Sequence, residues 1–477
     1  MHRRLAPLVV TVALVTTSFL APAATLARQP GVLRHIDHLV VIYLENRSFD
    51  NLYGWFAGAN GITNASVTSL TQLNGPGGAP YSPCLPQVDP HLASVCVPDG
   101  STFDIGAHIP ATSPTIDLVH RFYQNQVQID GGRNDLYTWA SDAKGLTMGN
   151  YDTAALPLAN LAAHFTLADN FFQAAFGGSF LNHQWLAAAQ TPVFDYGYSG
   201  RPTTCTATFG ANYMNTVLDT TTGMPVAGKD LQLTTVATGN YDVNTTQPWY
   251  APYAAGTSDC GRLQPLTENN IGDELSAEHV SWAWYAGGWN AAQAGTPDPL
   301  FQYHHQPFNY FYNYRPGTAA RAQHLKDETD FMTAAQSGSL PAVSFVKPIG
   351  ANNEHPGYAD LMTGELHTLA LVNAVMSGPD WKNTAIVITY DEMGGFWDHA
   401  APPVVDQWGP GTRIPAIIVS PWAKKGFVDH TRYDTTSILA TIEHRWDLDP
   451  LGPRDRNAND LRNAFLGDGP GSGRGGD

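Results

Sequence analysis

Two apolar runs in the sequence end on oxygen-bearing side chains. The runs 40–44 and 384–390 lead directly into polar residues, Glu45 and Asn46 after the first and Asp391 and Glu392 after the second. Unbroken apolar runs are typical of strands buried in a parallel sheet, whose carboxyl ends meet at one edge. Carboxylates gathered there would repel one another unless a divalent cation, which prefers oxygen ligands, lay among them. A single acidic strand end is more often a helix N-cap, but two such ends favour a metal site.

Histidines and glycines follow similar strand ends. Gly394 and Gly395 come directly after the second acidic pair and allow a tight turn or a close approach to a ligand, and His399 follows them. His355 precedes a Pro-Gly turn. A lone histidine is most often a hydrogen-bonded structural residue, whereas one at the edge of a cation site can act in catalysis. For His355 and His399 the sequence leaves both interpretations open.

A candidate nucleophile is Ser179. It follows Gly177 and Gly178, and Asn182 and His183 come close behind. A hydroxyl after two glycines is typical of a strand-to-helix turn that exposes it, where backbone amides at the helix start can bind an anion. The surroundings differ from the Gly-x-Ser-x-Gly elbow of esterases. By spacing alone, a helix cap is the better interpretation of Ser179.

The elements that must position these residues alternate along the chain. The sequence predicts buried strands and amphipathic helices, the strands at 38–45, 280–287, 342–348, 384–392 and 415–421 and the helices at 363–378 and 434–446. This alternation predicts an α/β fold with a mainly parallel sheet and helices on both faces. Loop-rich segments near 55–110 and 196–270 are expected to be insertions or a cap on one catalytic domain spanning 28–466.

Composition excludes some functions. The 477-residue chain is 43% hydrophobic and has a formal net charge of −17, so we expect a globular protein with no nucleic-acid partner. A small anionic substrate remains compatible with this charge, because a metal ion can reverse the local potential. The sequence leaves the oligomeric state open.

The ends of the chain and its cysteines indicate an oxidising compartment. Residues 1–27 have the basic, apolar and small-residue pattern of a signal peptide, and no later segment is apolar enough to span a membrane. The tail 467–477 is Gly-rich and expected to be disordered. Four cysteines allow three disulfide connectivities, of which we expect Cys84–Cys96 and Cys205–Cys260. We therefore expect a secreted or periplasmic protein.

Five blocks in order resemble one known family. The blocks are LENRSFDNLYGWF, GGSFLNHQW, NNEHPGYAD, YDEMGGFWDHAAPP and RIPAIIVSPWAKKG, and the resemblance spans about 35–455. They are similar to the bacterial phosphoesterase family that contains phospholipases C and secreted acid phosphatases. The segments 119–135 and 301–311, with serine at 179 where phospholipases commonly have threonine, are closer to the acid phosphatase branch. The resemblance implies a core similar to alkaline phosphatase.

The resemblance also implies roles for individual residues. One divalent ion, which could be Ca, Mg, Mn or Zn, would be held by Glu45, Asn46, Ser179, Asp391 and Glu392. Ser179 would also be the nucleophile, forming a phosphoserine that water then hydrolyses. The imidazoles expected to stabilise or protonate the phosphoester are His120, His304, His305 and His355. Substrate contacts are expected from Gly178, Asn182 and His399.

These features together predict a secreted, metal-dependent acid phosphatase that acts on small phosphomonoesters. The alternative is a phospholipase C that cleaves phosphodiester head groups such as that of phosphatidylcholine. A noncatalytic binding protein is disfavoured, because every residue type that the chemistry requires is present.

Overall fold

The computed structural model describes residues 31–205, 217–230, 232–235 and 239–467. The predicted signal peptide and nearly all of the predicted disordered tail lie outside these ranges.

The centre of the molecule is an eight-stranded sheet. In chain order its strands are β1 (His38–Leu44), β2 (Thr166–Ala168), β3 (Trp282–Ala286), β4 (Leu325–Asp327), β5 (Val343–Lys347), β6 (Thr384–Tyr390), β7 (Ala416–Val419) and β8 (Phe427–Asp429). Their spatial order is β4-β3-β5-β1-β6-β7-β2-β8. Every pair is parallel except those of β7, which runs antiparallel to β6 and β2. The predicted α/β fold with a mainly parallel sheet is confirmed.

Both faces of this sheet are covered. Every residue of β3, β5 and β6, and all but the first of β1, is buried. Successive side chains of a strand point to opposite faces, so a continuously buried strand requires packing on both sides. All five predicted strands are present. The short strands β2, β4 and β8 carry too few residues for a recognisable apolar run, and the sequence did not predict them.

The helices vary widely in length. The α-helices are α1 (Phe49–Tyr53), α2 (Val67–Leu70), α3 (Phe122–Ile129), α4 (Pro157–His164), α5 (Ser179–Ala188), α6 (Ile271–Ala277), α7 (Trp289–Gln293), α8 (Ala319–His324), α9 (Glu328–Ser337), α10 (Leu361–Met376), α11 (Thr436–Trp446) and α12 (Pro453–Asn457). The two predicted helices correspond to α10 and α11. The carboxylate of Asp360 fixes the start of α10 by accepting a hydrogen bond from the amide of Thr363 at 2.8 Å. No described helix combines the length and apolar character needed to cross a bilayer.

The two loop-rich segments contain short strands and both disulfides. Outside the main sheet, the short strand groups are Phe103–Asp104 with Gly149–Asn150, Phe171–Phe172 with Tyr433–Asp434, Gln247–Pro248 with Arg262–Leu263, and Val193–Phe194 with Gly239–Asp242 and Gln232–Thr235. The disulfides are Cys84–Cys96 and Cys205–Cys260, as expected.

Candidate active site

The turns after β1 and β6 are hydrogen-bonded to each other. Leu44 of β1 lies opposite Tyr390 of β6, so the residues that follow them meet at one edge of the sheet. The amide of Asn46 donates to Asp391 Oδ1 at 3.1 Å, and the amide of Arg47 donates to the Glu392 carbonyl at 3.0 Å. This packing brings the oxygen ligands predicted from the two acidic strand ends together.

Two conformational features make this close approach possible. Asn46 has a φ of 62°, a left-handed conformation that asparagine tolerates better than most residues. Gly394 also has a positive φ, and a Cβ atom there would lie 2.2 Å from the Asn46 carbonyl oxygen. Glycine is therefore required at 394 because the first turn occupies the space of a side chain.

The side chains of these turns form a group that we call the cradle: Glu45, Asn46, Asp391 and Glu392. All four are completely buried. Asn46 Oδ1 faces two carboxylate oxygens, Glu45 Oε2 at 3.1 Å and Glu392 Oε1 at 2.6 Å. Such an arrangement of three acceptors suits a cation bound among them. Rotating the amide would instead let its nitrogen donate to both carboxylates and its oxygen accept from His355 Nε2 at 3.0 Å.

The charges of the cradle are only partly compensated by protein groups. Burial and mutual repulsion raise the pKa of Asp391 and of Glu392 well above their usual values. Burial would also raise the pKa of Glu45, but Lys347 and His305 hold it well below its usual value. Carboxylates that resist ionisation in a buried group are stabilised by a bound cation. These donors therefore fit a divalent metal ion.

Ser179 begins α5 and lies against the cradle. Its hydroxyl donates to Glu45 Oε2 at 3.0 Å, and its side chain approaches Asn46 Oδ1 at 3.4 Å. Gly177 before it has a φ of 86°, and a Cβ atom there would lie 2.3 Å from the Phe122 amide nitrogen. The two glycines thus let the chain turn sharply into α5. The hydroxyl bonds a cradle carboxylate, so the structure shows more than the helix cap that spacing alone favours.

Asn182 shapes this turn from one helical turn along α5. Its side-chain nitrogen donates to the carbonyls of Ala175, Gly177 and Gly178, and its oxygen accepts from the Ala175 amide at 2.9 Å. The side chain is completely buried and does not line the cavity described below. The expected substrate contact of Asn182 is therefore replaced by a positioning role toward Ser179, because all its bonding capacity is directed at the backbone.

Three predicted imidazoles surround the serine. His120 and His355 each use Nδ1 to donate to a backbone carbonyl, that of Leu118 and of Pro356, so Nε2 of each ring is turned toward the cradle. His120 Nε2 lies 3.8 Å from Glu392 Oε1. Burial lowers the pKa of His355 to about 4, and burial with the proximity of His305 lowers that of His304 well below its usual value.

His305 lies beneath the others. Its Nε2 atom is 2.8 Å from Glu45 Oε1, the oxygen that faces away from Ser179. The 3-10 helix Tyr303–His305 places it there and directs the adjacent His304 to the cavity. His305 therefore contacts a predicted metal ligand and does not line the cavity.

A cavity of roughly 450 Å³ opens above Ser179. Its lining includes the predicted residues Glu45, His120, Gly178, Ser179, His304 and His355. Asp117, Asp142, Asn244 and Tyr358 also line it. Its volume suits a small molecule or a head group.

His399 lies in a different group of buried residues. We call it the arginine cluster and define it as Arg413, Asp50, Asp398 and His399. His399 Nδ1 lies 2.7 Å from Asp50 Oδ2, and its Nε2 lies 3.2 Å from Asn60 Oδ1. Because both ring nitrogens have these partners and the ring does not line the cavity, the structure does not support the expected substrate contact.

The sequence matches a model of the Phosphoesterase family over residues 36–449. The chain belongs to the Phosphoesterase family. The family match confirms the expected class of enzyme, a phosphoric ester hydrolase.

Several relatives in this family carry phospholipase C names. The chain is 26% identical to a non-hemolytic phospholipase C of Burkholderia pseudomallei, an alignment that covers 92% of this chain and 59% of the relative. It is 24% identical to phospholipase C A of Mycobacterium tuberculosis, covering 91% of this chain and 78% of the relative. Non-specific phospholipase C6 of Arabidopsis thaliana is 34% identical over 25% of this chain and 28% of its own. The chain thus spans little more than half the length of the first relative.

Solved structures overlap the chain only loosely. A protein of the alkaline phosphatase superfamily from Vibrio parahaemolyticus aligns with a TM-score of 0.33 and 10% identity, covering 75% of each chain. The lipoteichoic acid synthase of Listeria monocytogenes aligns with a TM-score of 0.32 and 8% identity, covering 89% of this chain and 78% of its own.

Sequence reasoning missed several residues of this phosphoesterase site. Lys347 ends β5 and pairs with Glu45 Oε1. The rule that identified Glu45, a polar residue at the end of an apolar strand, applies equally to Lys347 and would have found it. His183 lies one helical turn after Ser179, and this spacing was a usable signal. Asp117 and Asp142 lie in loops without hydrophobic periodicity, so the sequence gave no signal for them.

Proposed function

We propose that this chain hydrolyses phosphoric esters with Ser179 as the nucleophile and a divalent ion in the cradle, and that its preferred substrates are phosphodiesters with a phospholipid-type head group. The observation that carries the proposal is the Ser179 hydroxyl, which donates to a cradle carboxylate at 3.0 Å at the base of an imidazole-lined cavity. A serine hydroxyl is a weak nucleophile unless a base or a metal activates it.

The residues divide the proposed reaction between them. A cation bound to the cradle oxygens would supply Lewis-acid stabilisation of the serine oxygen and the phosphoryl group. Ser179 gives its proton to solvent before the substrate binds, and its Oγ atom then forms the bond to phosphorus while the bond to the leaving oxygen breaks. His120 gives a proton to the departing alkoxide. His304 and the backbone amides at the start of α5 bind the phosphoryl oxygens. The neutral His355 ring lines the cavity beside them and donates its Nδ1 proton to the Pro356 carbonyl.

The second half returns each group to its starting state. Water attacks phosphorus, and the bond to Ser179 Oγ breaks. His120 accepts a proton from the water, and the serine oxygen takes up a proton from solvent when phosphate leaves. His120 is suited to both steps because its Nε2 faces the cradle and its Nδ1 is anchored to a carbonyl.

Two observations favour phosphodiesters over the monoesters expected from sequence. The relatives described above are named phospholipases C. Asp117 and Asp142 are exposed carboxylates that line the cavity with Ser179. They would repel a dianionic phosphomonoester more strongly than a singly charged phosphodiester. A phosphomonoesterase, favoured by the acid phosphatase blocks and by serine at 179, is the second candidate.

The experiment compares substrates that share one leaving group. Purified protein would be assayed with p-nitrophenyl phosphate and p-nitrophenyl phosphorylcholine, after chelation and after adding back Ca²⁺, Mg²⁺, Mn²⁺ or Zn²⁺ singly. We expect a larger kcat/KM for the phosphorylcholine ester and dependence on one of the ions. A larger value for p-nitrophenyl phosphate would support the second candidate. Full activity in metal-free protein would contradict the role of the cradle.

Secretion and the domain arrangement also belong to this proposal. Two disulfides between all four cysteines suit an oxidising compartment. A single catalytic domain over 28–466 with insertions near 55–110 and 196–270 remains our prediction.

A further inference from the structure

Lys347 is completely buried beside the cradle. Its ammonium pairs with Glu45 Oε1, donates to the Leu44 carbonyl at 3.2 Å and lies 3.8 Å from Asp391 Oδ2. The ring of Tyr43 lies 5.1 Å away and presents its face. A buried charge is costly unless its surroundings compensate it. The groups around this ammonium are those that would surround a bound cation.

Two histidines complete these surroundings. The rings of His183 and His305 are stacked, with centroids 5.3 Å apart and planes at 6°. His305 Nε2 is 2.8 Å from Glu45 Oε1, and one potential ligand atom from each of Glu45, His183 and His305 lies within 4.8 Å of the others. Within the described part of the chain, His183 Nε2 has no hydrogen-bond partner although the residue is completely buried. Two imidazoles and a carboxylate form a common ligand set for zinc.

We propose that Glu45, His183 and His305 form a second, latent metal site, and that the ammonium of Lys347 is its native occupant. The latent site uses Glu45 Oε1, whereas the cradle faces Oε2 of the same carboxylate. Lys347 thereby supplies a fixed positive charge where a two-metal enzyme would hold its second ion. The native centre then takes one divalent ion. The expectation of one ion in the native centre rests on the proposed function, whereas the assignment of the latent site does not.

Metal counting tests the proposal directly. Wild-type protein and Lys347→Ala would be purified with zinc present, separated from excess metal and analysed by mass spectrometry for zinc per chain. We expect one ion in wild type and two in Lys347→Ala. Lys347→Arg, which keeps the cation, should bind one. Adding His183→Gln to Lys347→Ala should return the count to one, because His183 is a ligand of the latent site and is not part of the cradle.

Cobalt gives a second readout that does not depend on activity. Co²⁺ in Lys347→Ala should show absorption bands of a nitrogen-ligated ion that wild type lacks. Two zinc ions in wild type, or identical counts and spectra in wild type and Lys347→Ala, would overturn the proposal. If Lys347→Ala and the milder Lys347→Ser both fail to fold with zinc present, an ion cannot replace the ammonium and the proposal is also overturned. A count of zero in wild type with one ion in Lys347→Ala would contradict the cradle and support the latent site.

Discussion

The cradle and the arginine cluster are both completely or largely buried, and both follow the carboxyl ends of β1 and β6. In the arginine cluster the charges are paired. Arg413 donates to Asp398 Oδ1 and to Asp50 Oδ1, each at 3.0 Å, and its remaining nitrogen donates to the carbonyls of Asn60 and Asp169. Within the described part of the cradle, Asp391 Oδ2 has no hydrogen-bond partner.

This difference distinguishes buried polar residues that stabilise the fold from buried polar residues that can bind a ligand. A fully paired buried network holds its elements in one arrangement and has no capacity left for a ligand. The arginine cluster accordingly fixes α1, the helix that follows the ligand turn. Asp50 lies in α1, and the backbone carbonyl of Arg413 accepts a hydrogen bond from the Phe49 amide at 3.0 Å. Among the described residues, the cradle keeps one unpaired carboxylate oxygen, Asp391 Oδ2, close to Glu45 and Ser179, which line the cavity. We therefore expect substitutions at the cradle to lower activity more than stability, and substitutions in the arginine cluster to lower stability.

The largest effect is expected from Ser179→Ala. Removal of the nucleophile should lower kcat by at least about 1,000-fold, or about 4 kcal/mol of transition-state stabilisation. Thermal unfolding should change little, because the substitution removes one hydroxyl and leaves Glu45 paired with Lys347 and His305. Steady-state kinetics with p-nitrophenyl phosphorylcholine and calorimetry measure the two quantities.

Ser48→Ala is the matched control for this substitution. Ser48 caps α1 by accepting from the Asn51 amide and donates to the Trp397 carbonyl at 2.7 Å. It should lose about 1–2 kcal/mol of stability and retain most activity. Equal losses of activity in both variants would contradict the division of roles.

The next largest effect is expected from Arg413→Met. This substitution leaves Asp50 and Asp398 buried without their cation, and it should lower the free energy of unfolding by about 3–5 kcal/mol. Urea unfolding followed by circular dichroism measures it. Arg133→Met, at a guanidinium whose side chain is 56% exposed, should leave the free energy of unfolding close to the wild-type value. A loss of less than about 1 kcal/mol for Arg413→Met would mean that the arginine cluster does not stabilise the fold.

A smaller effect concerns the dependence of stability on pH. Because the pKa of His355 is lowered to about 4 by burial, the unfolded chain takes up this proton near pH 6.5, before the folded protein does. The histidine therefore costs no stability above pH 6.5 and up to roughly 3 kcal/mol as the pH falls to 4. His355→Asn should lose less stability than wild type across this window in urea titrations.

The control for this titration is His164→Asn, which changes an exposed histidine at the end of α4. Its stability should follow the wild-type curve. A His355→Asn curve parallel to wild type would show that His355 is not buried in its neutral form.

The smallest effect is expected from Asp142→Asn. Removing this carboxylate from the cavity should raise kcat/KM for p-nitrophenyl phosphate about 2- to 5-fold relative to the phosphorylcholine ester, because an exposed charge acts weakly through solvent. Asp449→Asn, at an exposed carboxylate that does not line the cavity, should leave the ratio unchanged. An unchanged ratio in Asp142→Asn would remove the electrostatic argument for phosphodiesters.

The cradle was predictable from sequence because its geometry follows from the sheet. Glu45 and Asp391 end neighbouring parallel strands, and parallel strands place their carboxyl ends together. Ser179 was predictable as a candidate because the preceding glycines are required by a turn. These inferences needed only local patterns and one rule of sheet topology.

Other features depended on contacts between distant segments. Arg47 donates to the Glu354 carbonyl at 2.7 Å and to Asn51. Nothing in a sequence indicates which carbonyl a buried guanidinium will reach. His399 was a candidate for a substrate contact because it follows a strand end, yet the intervening turn carries it to Asp50. Sheet topology predicts where a strand ends but does not predict the path of the loop that follows it.

The disulfide Cys205–Cys260 encloses Asn244 and Thr245, which line the cavity, whereas the cradle lies outside the segment that it closes. A disulfide therefore constrains the segment that carries Asn244 and Thr245, whereas pairing between strands of the sheet holds the cradle. Reducing agents would release the ends of the segment that carries Asn244 and Thr245 and would leave the paired strands that carry the cradle in place. Protein produced in a reducing cytosol should consequently turn over small esters normally while losing discrimination among larger ones.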